Sequence, residues 1–417
     1  MEFRFTEDEQ KLRSEVRDFI AQRLTPQVRE QLIADKEGHG RGAEAAEFLE
    51  EIRKKGWLAI SWPKEHGGQG GTRMAQYIVE EEFYRAAALM VGGGGTGAPA
   101  ILAAGTDAQK EYYVPRVIRM ELSFCQGYSE PHCGTDLAGI RCRATRKDGR
   151  FVINGQKIFT TGAHSATHIF LLVRTDPKSV RQRGLSILLV PMDTPGITVR
   201  PLWTIQSSPP APFNTSYWDW RTNEVFFDNV EVSEDCLLGE EGDGWAVTRR
   251  GLNLDRVGAW RYLISVMRDE DVVNLLKKPG SVVASRREDP RVRDKVAEMW
   301  IEAQVCRLMT MRSITIEQNG GNFSYEGSAE KVWAPEHGVR STEAIAQILG
   351  PYAQLLSSSP HAVEGGVFAH NLLGAFQSTV NHGSVQVMRD QVARFGLEMP
   401  KSQPAARPVP HATSNTR

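Results

Sequence analysis

The hydrophobic pattern changes period twice along these 417 residues, and any fold must satisfy both changes. From Thr6 to about Met120 apolar residues recur at helical spacing. Thr6-x-x-Glu9 reads as a capping box, and Leu12, Val16, Phe19, Ile20 and Leu24 share one face before Pro26 stops the helix. Gly67, Gly68, Gly70 and Gly71 predict a loop, a helix follows over roughly 73–88, and Gly92 to Gly95 punctuate the next turn. From about Phe124 to Val232 the pattern becomes strand-like. Arg150 to Ile153 follows a Lys-Asp-Gly turn at 147–149, a hairpin signal, and 169–173, 185–190 and 225–227 are short apolar runs bounded by Gly, Pro or Asp. From Gly244 the helical period returns. Asp289 caps and Pro290 opens a helix with an apolar seam at Val292, Val296, Met299, Ala303, Cys306 and Met309, and further helices are expected over roughly 335–349 and 362–395. The order predicts an α+β chain in four parts: an N-terminal helical domain (1–121), a middle β-barrel or sandwich (122–235), a C-terminal four-helix bundle (236–400) and a disordered tail (401–417).

Composition narrows the function classes. A formal net charge of −1 gives neither nucleic acid nor an anionic membrane a reason to bind. No apolar run approaches the length of a membrane span, and the best stretch, 169–173, is strand-sized. Met1-Glu2-Phe3-Arg4 leads straight into a polar helix, unlike a signal peptide. Five cysteines without a Cys-x-x-Cys pair point to neither a disulfide framework nor a metal site, and reduced thiols fit a cytoplasmic protein.

The chemistry gathers at the first change of period. Tyr128-Ser129-Glu130-Pro131-His132-Cys133-Gly134-Thr135-Asp136 joins helices to strands. Pro131 stiffens a turn, Gly134 admits close approach of backbone to a ligand, and Ser129 and Thr135 offer hydroxyls. This segment resembles the flavin loop of the acyl-CoA dehydrogenase family. Asn154-Gly155-Gln156-Lys157-Ile158-Phe159-Thr160-Thr161-Gly162 is similar to the family segment in which an aromatic covers one flavin face and a threonine reaches N5; Phe159 and Thr161 take those places. Trp57 to Gly71, Gly105 to Lys110 with Pro115, and Phe226 to Val230 with Gly239 and Gly244-Trp245 match further signatures in order.

The resemblance implies FAD, an acyl-CoA substrate, electron-transfer flavoprotein as acceptor, and a base that removes the proton alpha to the thioester carbonyl. In most of the family that base is a glutamate near the C-terminus; the matching stretch here, Asn381 to Arg389, has His382 in its place. A minority, isovaleryl-CoA dehydrogenase and several steroid side-chain enzymes among them, carries the base on the helix after the β domain, before an arginine. Leu252-Asn253-Leu254-Asp255-Arg256-Val257 matches it. Asp255 is therefore the candidate base, with Arg256 and Thr135 toward the substrate, and Gly251, Gly258 and Ala259 on the same helical face would clear space around it. Aspartate is one methylene shorter than the usual glutamate. His382 is expected to act through its backbone N–H on the thioester carbonyl, or as a proton carrier.

For the cofactor the resemblance implies Gln126, Tyr128, Ser129, Gly134, Thr135, Phe159, Thr161, Ser384 and Gln386. It further implies the traces of two weakened intersubunit motifs, at Arg286 and at Gln347 with Gly350. Similar erosion is seen in steroid side-chain enzymes built from two unlike subunits. The expected protein is an FAD-dependent acyl-CoA dehydrogenase of lipid or steroid degradation acting on a bulky, branched or steroid acyl group. A homo-oligomer (dimer or tetramer) or a heterotetramer with a related subunit is expected, with the seam at Val292 to Met309 shared between subunits rather than kept as internal core. Two rivals stand beside it: a non-catalytic partner subunit, and a flavin monooxygenase or oxidase on the same fold. The stretch from Ser207 to Trp220 is longer than the family's usual short turn and is expected to reshape a pocket or a partner surface.

Overall fold

The computed structural model describes residues 3–36, 42–87, 97–179, 181–202, 204, 222–255, 257–321 and 324–401, and of 33, 35, 36, 87 and 250–255 the backbone alone. The expected insertion from Ser207 to Trp220 and the tail after Lys401 lie outside the described residues.

Helix ends fall where side chains satisfy the free N–H groups. Thr6 and Glu9 close a reciprocal capping box on α1 (Glu7–Arg23). Pro26, expected only to stop α1, also supplies the first residue of α2 (Pro26–Lys36), where a missing N–H costs nothing. After α3 (Ala43–Lys54) come α4 (Arg73–Ala87), α5 (Gly97–Ala104) and α6 (Asp107–Ile118). A second capping box, Thr106 with Gln109, starts α6. Gln109 Nε2 also donates to the carbonyls of Asp235 (2.8 Å) and Leu237 (2.9 Å), which ties this helix to the end of the β region.

The β region holds β1 (Phe124–Gly127), β2 (Arg143–Lys147), β3 (Arg150–Lys157), β4 (His168–Arg174), β5 (Leu185–Pro191), β6 (Ile197–Pro201), β7 (Asn223–Ser233) and β8 (Leu237–Leu238). Their order is β6-β7-β3-β2-β4-β5-β8, with β1 pairing β4. The β2–β3 hairpin turns at Asp148 and Gly149, both at positive φ, the handedness a two-residue hairpin needs. β2 meets β4 through the single register pair Arg143 with Arg174. The two halves therefore fold over one core, in which Phe151, Ile153 and Val225 meet Ile169, Leu171 and Leu188. The other face of β4, Phe170 and Leu172, packs on Ala98, Ile101 and Val114 of α5 and α6. Burial on both faces is why β4 reads as an unbroken apolar run.

The C-terminal region comprises α7 (Gly244–Asp255), α8 (Trp260–Lys277), α9 (Pro290–Gln318), α10 (Glu326–Leu349), α11 (Val367–Gly374), α12 (Gln377–Val380) and α13 (Val385–Gln391). Asp289 caps and Pro290 opens α9. Three expectations need correction. α10 starts at Glu326, not near 335; burial of Gly327, Ser328, Glu330, Lys331 and Ala334 offsets Pro335 inside the helix. The single helix expected over 362–395 is instead α11, α12 and α13: Glu364, Gly365 and Gly366 at positive φ delay its start, and His382 (φ 50°) and Gly383 (φ 94°) separate α12 from α13. The seam at Val292, Met299, Ala303 and Cys306 is buried within its own chain, so it is intramolecular core. Among the described residues, no helix is long and apolar enough to cross a membrane.

The bundle interior is not wholly apolar. Glu330 on α10 is 3 % exposed and accepts hydrogen bonds from Thr310 Oγ1 (2.7 Å) and Ser313 Oγ on α9. Burial pushes its carboxyl up from the usual 4.5 to about 7, against these bonds and the nearby Arg261 charge. The folded state holds this proton more tightly than the unfolded chain. Stability therefore falls as pH rises from about 4.5 to about 7 and stays lower above, by on the order of 3 kcal/mol for this group. Glu330→Gln should remove that loss, so thermal melts at pH 5 and pH 8 should lie closer together for the variant than for the wild type. An unchanged gap would place the titration elsewhere.

Candidate active site

Strand β1 ends at Gly127, and the chain enters the 128–136 loop over a buried ion pair. Lys157, the last residue of β3, is fully buried. Its Nζ donates to Glu130 Oε1 (2.8 Å) and to the Tyr128 carbonyl (3.0 Å). Glu130 also accepts from the backbone N–H groups of Arg141 (2.6 Å) and Cys142 (2.9 Å). Each buried charge is thus paired and hydrogen-bonded, the condition under which burial is tolerated. Glu130, His132 and Cys133 lie close enough together for a metal ion, but these bonds commit the carboxylate to the fold of the turn.

On that base the loop presents its candidates. Thr135 and Gly134 are exposed and Ser129 is half-buried. Tyr128 is buried, edge-on to Phe170 at 6.2 Å, and Gln126 sits in β1 opposite Phe170. The Ile158 N–H donates to the Ser129 carbonyl (2.9 Å), which brings the second segment alongside. Phe159 follows at φ 58°, a left-handed conformation uncommon for a bulky residue, and its ring is 62 % exposed. The Thr160 N–H donates to the Asn223 carbonyl, and half-buried Thr161 donates its N–H to the Phe159 carbonyl (3.1 Å). The 128–136 loop and the 158–161 segment thus run side by side at the Ser129–Ile158 bond, with Phe159 exposed at this edge of the β region.

The bundle supplies a second group. Gly244 lies so close to Leu185 and Ser186 that a Cβ there would be 2.6 Å from the Ser186 Cα. From that contact α7 runs about 16 Å, at 1.5 Å per residue, to Asp255, its last residue. The Asp255 side chain and all of Arg256 lie outside the described residues. The helix does not continue through Gly258 and Ala259, as the shared-face expectation required; α8 starts afresh at Trp260. His382 lies half-buried in the α12–α13 turn, its ring edge-on to Trp260 at 6.3 Å and 71°. Ser384 Oγ accepts from the Val387 N–H (3.4 Å) as the cap of α13, and Gln386 is exposed. Lys331, buried on α10, donates to the Ser378 carbonyl and fastens α12.

Arg286, Gln347 and Gly350 form a third group. The Arg286 guanidinium donates to the Gln347 (2.9 Å) and Ile348 (2.5 Å) carbonyls at the C-terminal end of α10, where a cation also suits the helix dipole. The Gln347 side chain is exposed, and Gly350 adopts φ 60°, ψ −134°, a glycine conformation. Sequence reasoning brought Arg286 and Gln347 into view separately but gave no sign that they touch. It also missed the pairing of Glu130 with Lys157 and the place of Trp260. The one available signal was a lysine at a core-facing position of a strand.

Comparison with known proteins agrees with this architecture. The chain matches the family descriptions "Acyl-CoA dehydrogenase, N-terminal domain" over residues 6–121, "middle domain" over 125–230 and "C-terminal domain" over 242–397. It is 30% identical over 412 residues to acyl-CoA dehydrogenase FadE26 of Mycobacterium tuberculosis (96% of this chain, 100% of that protein). It is 30% identical over 404 residues to FadE29 of the same organism (95% and 98%). Among solved structures, the Tcur3481-Tcur3483 steroid ACAD superposes with a TM-score of 0.80 at 30% identity, covering 96% of this chain and 100% of that one. The ChsE4-ChsE5 complex from Mycobacterium tuberculosis gives 0.78 at 29% (96% and 100%).

The buried pair makes a direct prediction. Lys157→Ala leaves Glu130 charged, buried and short of its partner, and breaking one side of such a pair costs about 3–5 kcal/mol. The variant should unfold at a lower temperature and lose bound flavin, read by calorimetry and by the visible spectrum. Full flavin content with an unchanged melt would mean that the pair does not hold the loop.

Proposed function

The chain belongs to the acyl-CoA dehydrogenase family and is an FAD-dependent oxidoreductase, and from that premise we propose that it desaturates a bulky, branched or steroid side-chain acyl-CoA with Asp255 as the base. The observation that carries this reading is the pair of positions Asp255 and His382. The sequence puts an acid at the end of α7 and a histidine, not a carboxylate, in the α12–α13 turn. One of the similar solved proteins supports the substrate class, being described as a steroid ACAD.

The residues present fit the cofactor. An exposed phenyl ring suits a planar heterocycle, and the hydroxyls of Ser129, Thr135 and Thr161 suit its polar edge and phosphates. FAD held there would supply the acceptor for the substrate's β hydrogen, which leaves as hydride. Phe159 and Thr161 would hold the ring system, and Ser129, Gly134 and Thr135 the neighbouring loop contacts, with Gln126, Tyr128, Ser384 and Gln386 around them. Asp255 takes the α proton. As enolate charge develops, the His382 backbone N–H donates to the thioester oxygen, which is where a fixed dipole contributes most. Arg256 binds on the substrate side. Electron-transfer flavoprotein is the proposed acceptor, in a pathway of steroid or lipid breakdown.

Assembly belongs to the same reading, though not through the seam first expected. The opposite face of α9 carries Ile301 (55 % exposed) and Leu308 (40 %) two turns apart, with Trp300 (63 %) at its edge. A stripe of large apolar side chains in water is the mark of an interface. We assign it to a second subunit, a copy of this chain or a related one, with Arg286, Gln347 and Gly350 near the shared part of the site.

Two outcomes test these statements. Asp255→Ala should keep its flavin but reduce it about 10²–10⁴-fold more slowly with choloyl-CoA under anaerobic conditions, the usual contribution of a general base. Unaltered reduction kinetics would remove Asp255 from the mechanism. Trp300→Glu with Ile301→Glu should lower the mass found by light scattering to that of a smaller assembly, and an undiminished mass would free this face of the role.

A further inference from the structure

We propose that Trp260 is a positioning residue, which holds the His382 turn in the conformation that the reaction uses. The inference rests on the reading of His382 given above, and it begins with the break between α7 and α8. Because α7 stops at Asp255 and α8 begins at Trp260, the indole stands at the head of a helix rather than along its side. It is confined there. A Cβ on Gly258 would lie 3.3 Å from the indole Cδ1, so glycine leaves the ring just enough room. The Arg261 guanidinium lies over the ring, 3.7 Å from its centroid, a cation–π contact of about 0.5–2 kcal/mol. Arg261 is itself close enough to buried Glu330 for its charge to act on that carboxyl. Val257, Ala259 and Tyr262 fill the core around the same helix start. Trp260 turns toward the His382 imidazole, edge to face.

The turn needs such a support. His382 adopts φ 50°, and a non-glycine residue held there costs on the order of 1 kcal/mol or more. The following Gly383, at φ 94°, adds no side chain to brace it. The flanks are fixed: Lys331 bonds to the Ser378 carbonyl before the turn, and Ser384 caps α13 after it. These bonds act on the flanks, whereas the ring contact with Trp260 acts at His382 itself. Loss of the indole would let the backbone relax toward an ordinary φ and swing the His382 N–H. A displacement of about 1 Å at a reacting centre costs on the order of 100-fold in rate. Substrate affinity and flavin loading, set elsewhere, should scarcely change.

A double-mutant cycle tests this, read as anaerobic flavin reduction by choloyl-CoA. His382→Gly removes the ring, keeps the N–H and adopts the turn freely. Trp260→Ala should slow reduction about tenfold or more, with flavin content and half-saturating thioester concentration within about twofold. Trp260→Phe, which keeps an aromatic edge, should recover most of the rate. In the His382→Gly background, Trp260→Ala should cause no further loss. Multiplicative losses in the double variant, or a Trp260→Ala defect confined to flavin content or affinity, would overturn the proposal. A second readout needs no turnover. The His382 Cε1–H resonance, identified by its disappearance in His382→Gly, should move in Trp260→Leu as the indole ring current is lost. A resonance that stays in place overturns the proposal, whatever the substrate. Failure of choloyl-CoA and of simple acyl-CoA thioesters to reduce the wild-type flavin would sink the dehydrogenase reading instead, and the resonance would still decide on Trp260.

Discussion

The buried pair of Lys157 and Glu130 fixes most of what lies around it. One ammonium holds both the carboxylate and the Tyr128 carbonyl, and the same carboxylate receives the N–H groups of Arg141 and Cys142. Four segments, the end of β1, the loop, the approach to β2 and the end of β3, therefore meet at one pair of opposite charges. Dispersion and apolar burial would be satisfied by many loop conformations; charges that must find each other without water are satisfied by few. Because Lys157 is two residues from Phe159 and one from the Ile158 N–H that bonds Ser129, the pair also sets how the two candidate cofactor segments face one another.

Backbone strain lies where the chemistry is proposed. Phe159 and His382 are both non-glycine residues at positive φ, one at the edge of the β region and one in the bundle. Not every such residue is functional: Asp148 and Asn229 belong to a hairpin turn and a bulge that hydrogen bonds fully explain. Phe159 and His382 differ in being aromatic and in lying beside the groups proposed for cofactor and substrate. Their surroundings over-determine them, through Ile158 and Thr160 in one case and through Trp260, Lys331 and Ser384 in the other.

What could be read from the sequence follows the range of the interaction. Thr6 with Glu9, and Asp289 with Pro290, act within one turn of helix, and both helix starts lie where these residues put them. The Lys-Asp-Gly turn is likewise a local matter. The order of helical, strand and helical periods carried the architecture, and the motifs carried the family. Longer-range or competing effects were hidden. Asn-His-Gly-Ser at 381–384 has the composition of a turn, but the apolar spacing around it suggested one continuous helix. At Val257 to Ala259 nothing local announces a break, and the helical pattern runs straight across it. The seam of α9 had the right period, yet period alone does not say which of two apolar faces meets its own chain.

The remaining step concerns how the helical regions keep a fixed relation while the site lies among them. Glu81 on α4 is buried and accepts from Arg307 on α9 (3.1 Å) and Arg13 on α1 (3.5 Å), and the hydroxyls of Tyr262 on α8 (2.8 Å) and Tyr77 on its own helix (3.2 Å) both lie within reach of it, so that one tyrosine donates to the carboxylate and the other to its neighbour. The Tyr77 and Tyr262 hydroxyls bond each other at 2.5 Å. Tyr262 is two residues beyond Trp260, so the N-terminal region grips α8 within its first turn. An apolar contact alone would let that helix slide along its ridges at little cost, whereas a carboxylate approached by polar groups of α1, α8 and α9 has one good register. The head of α8, and with it the indole beside His382, is therefore referenced to the N-terminal helices as well as to the bundle. The three regions meet in a frame whose polar contacts determine where its less constrained loops can be.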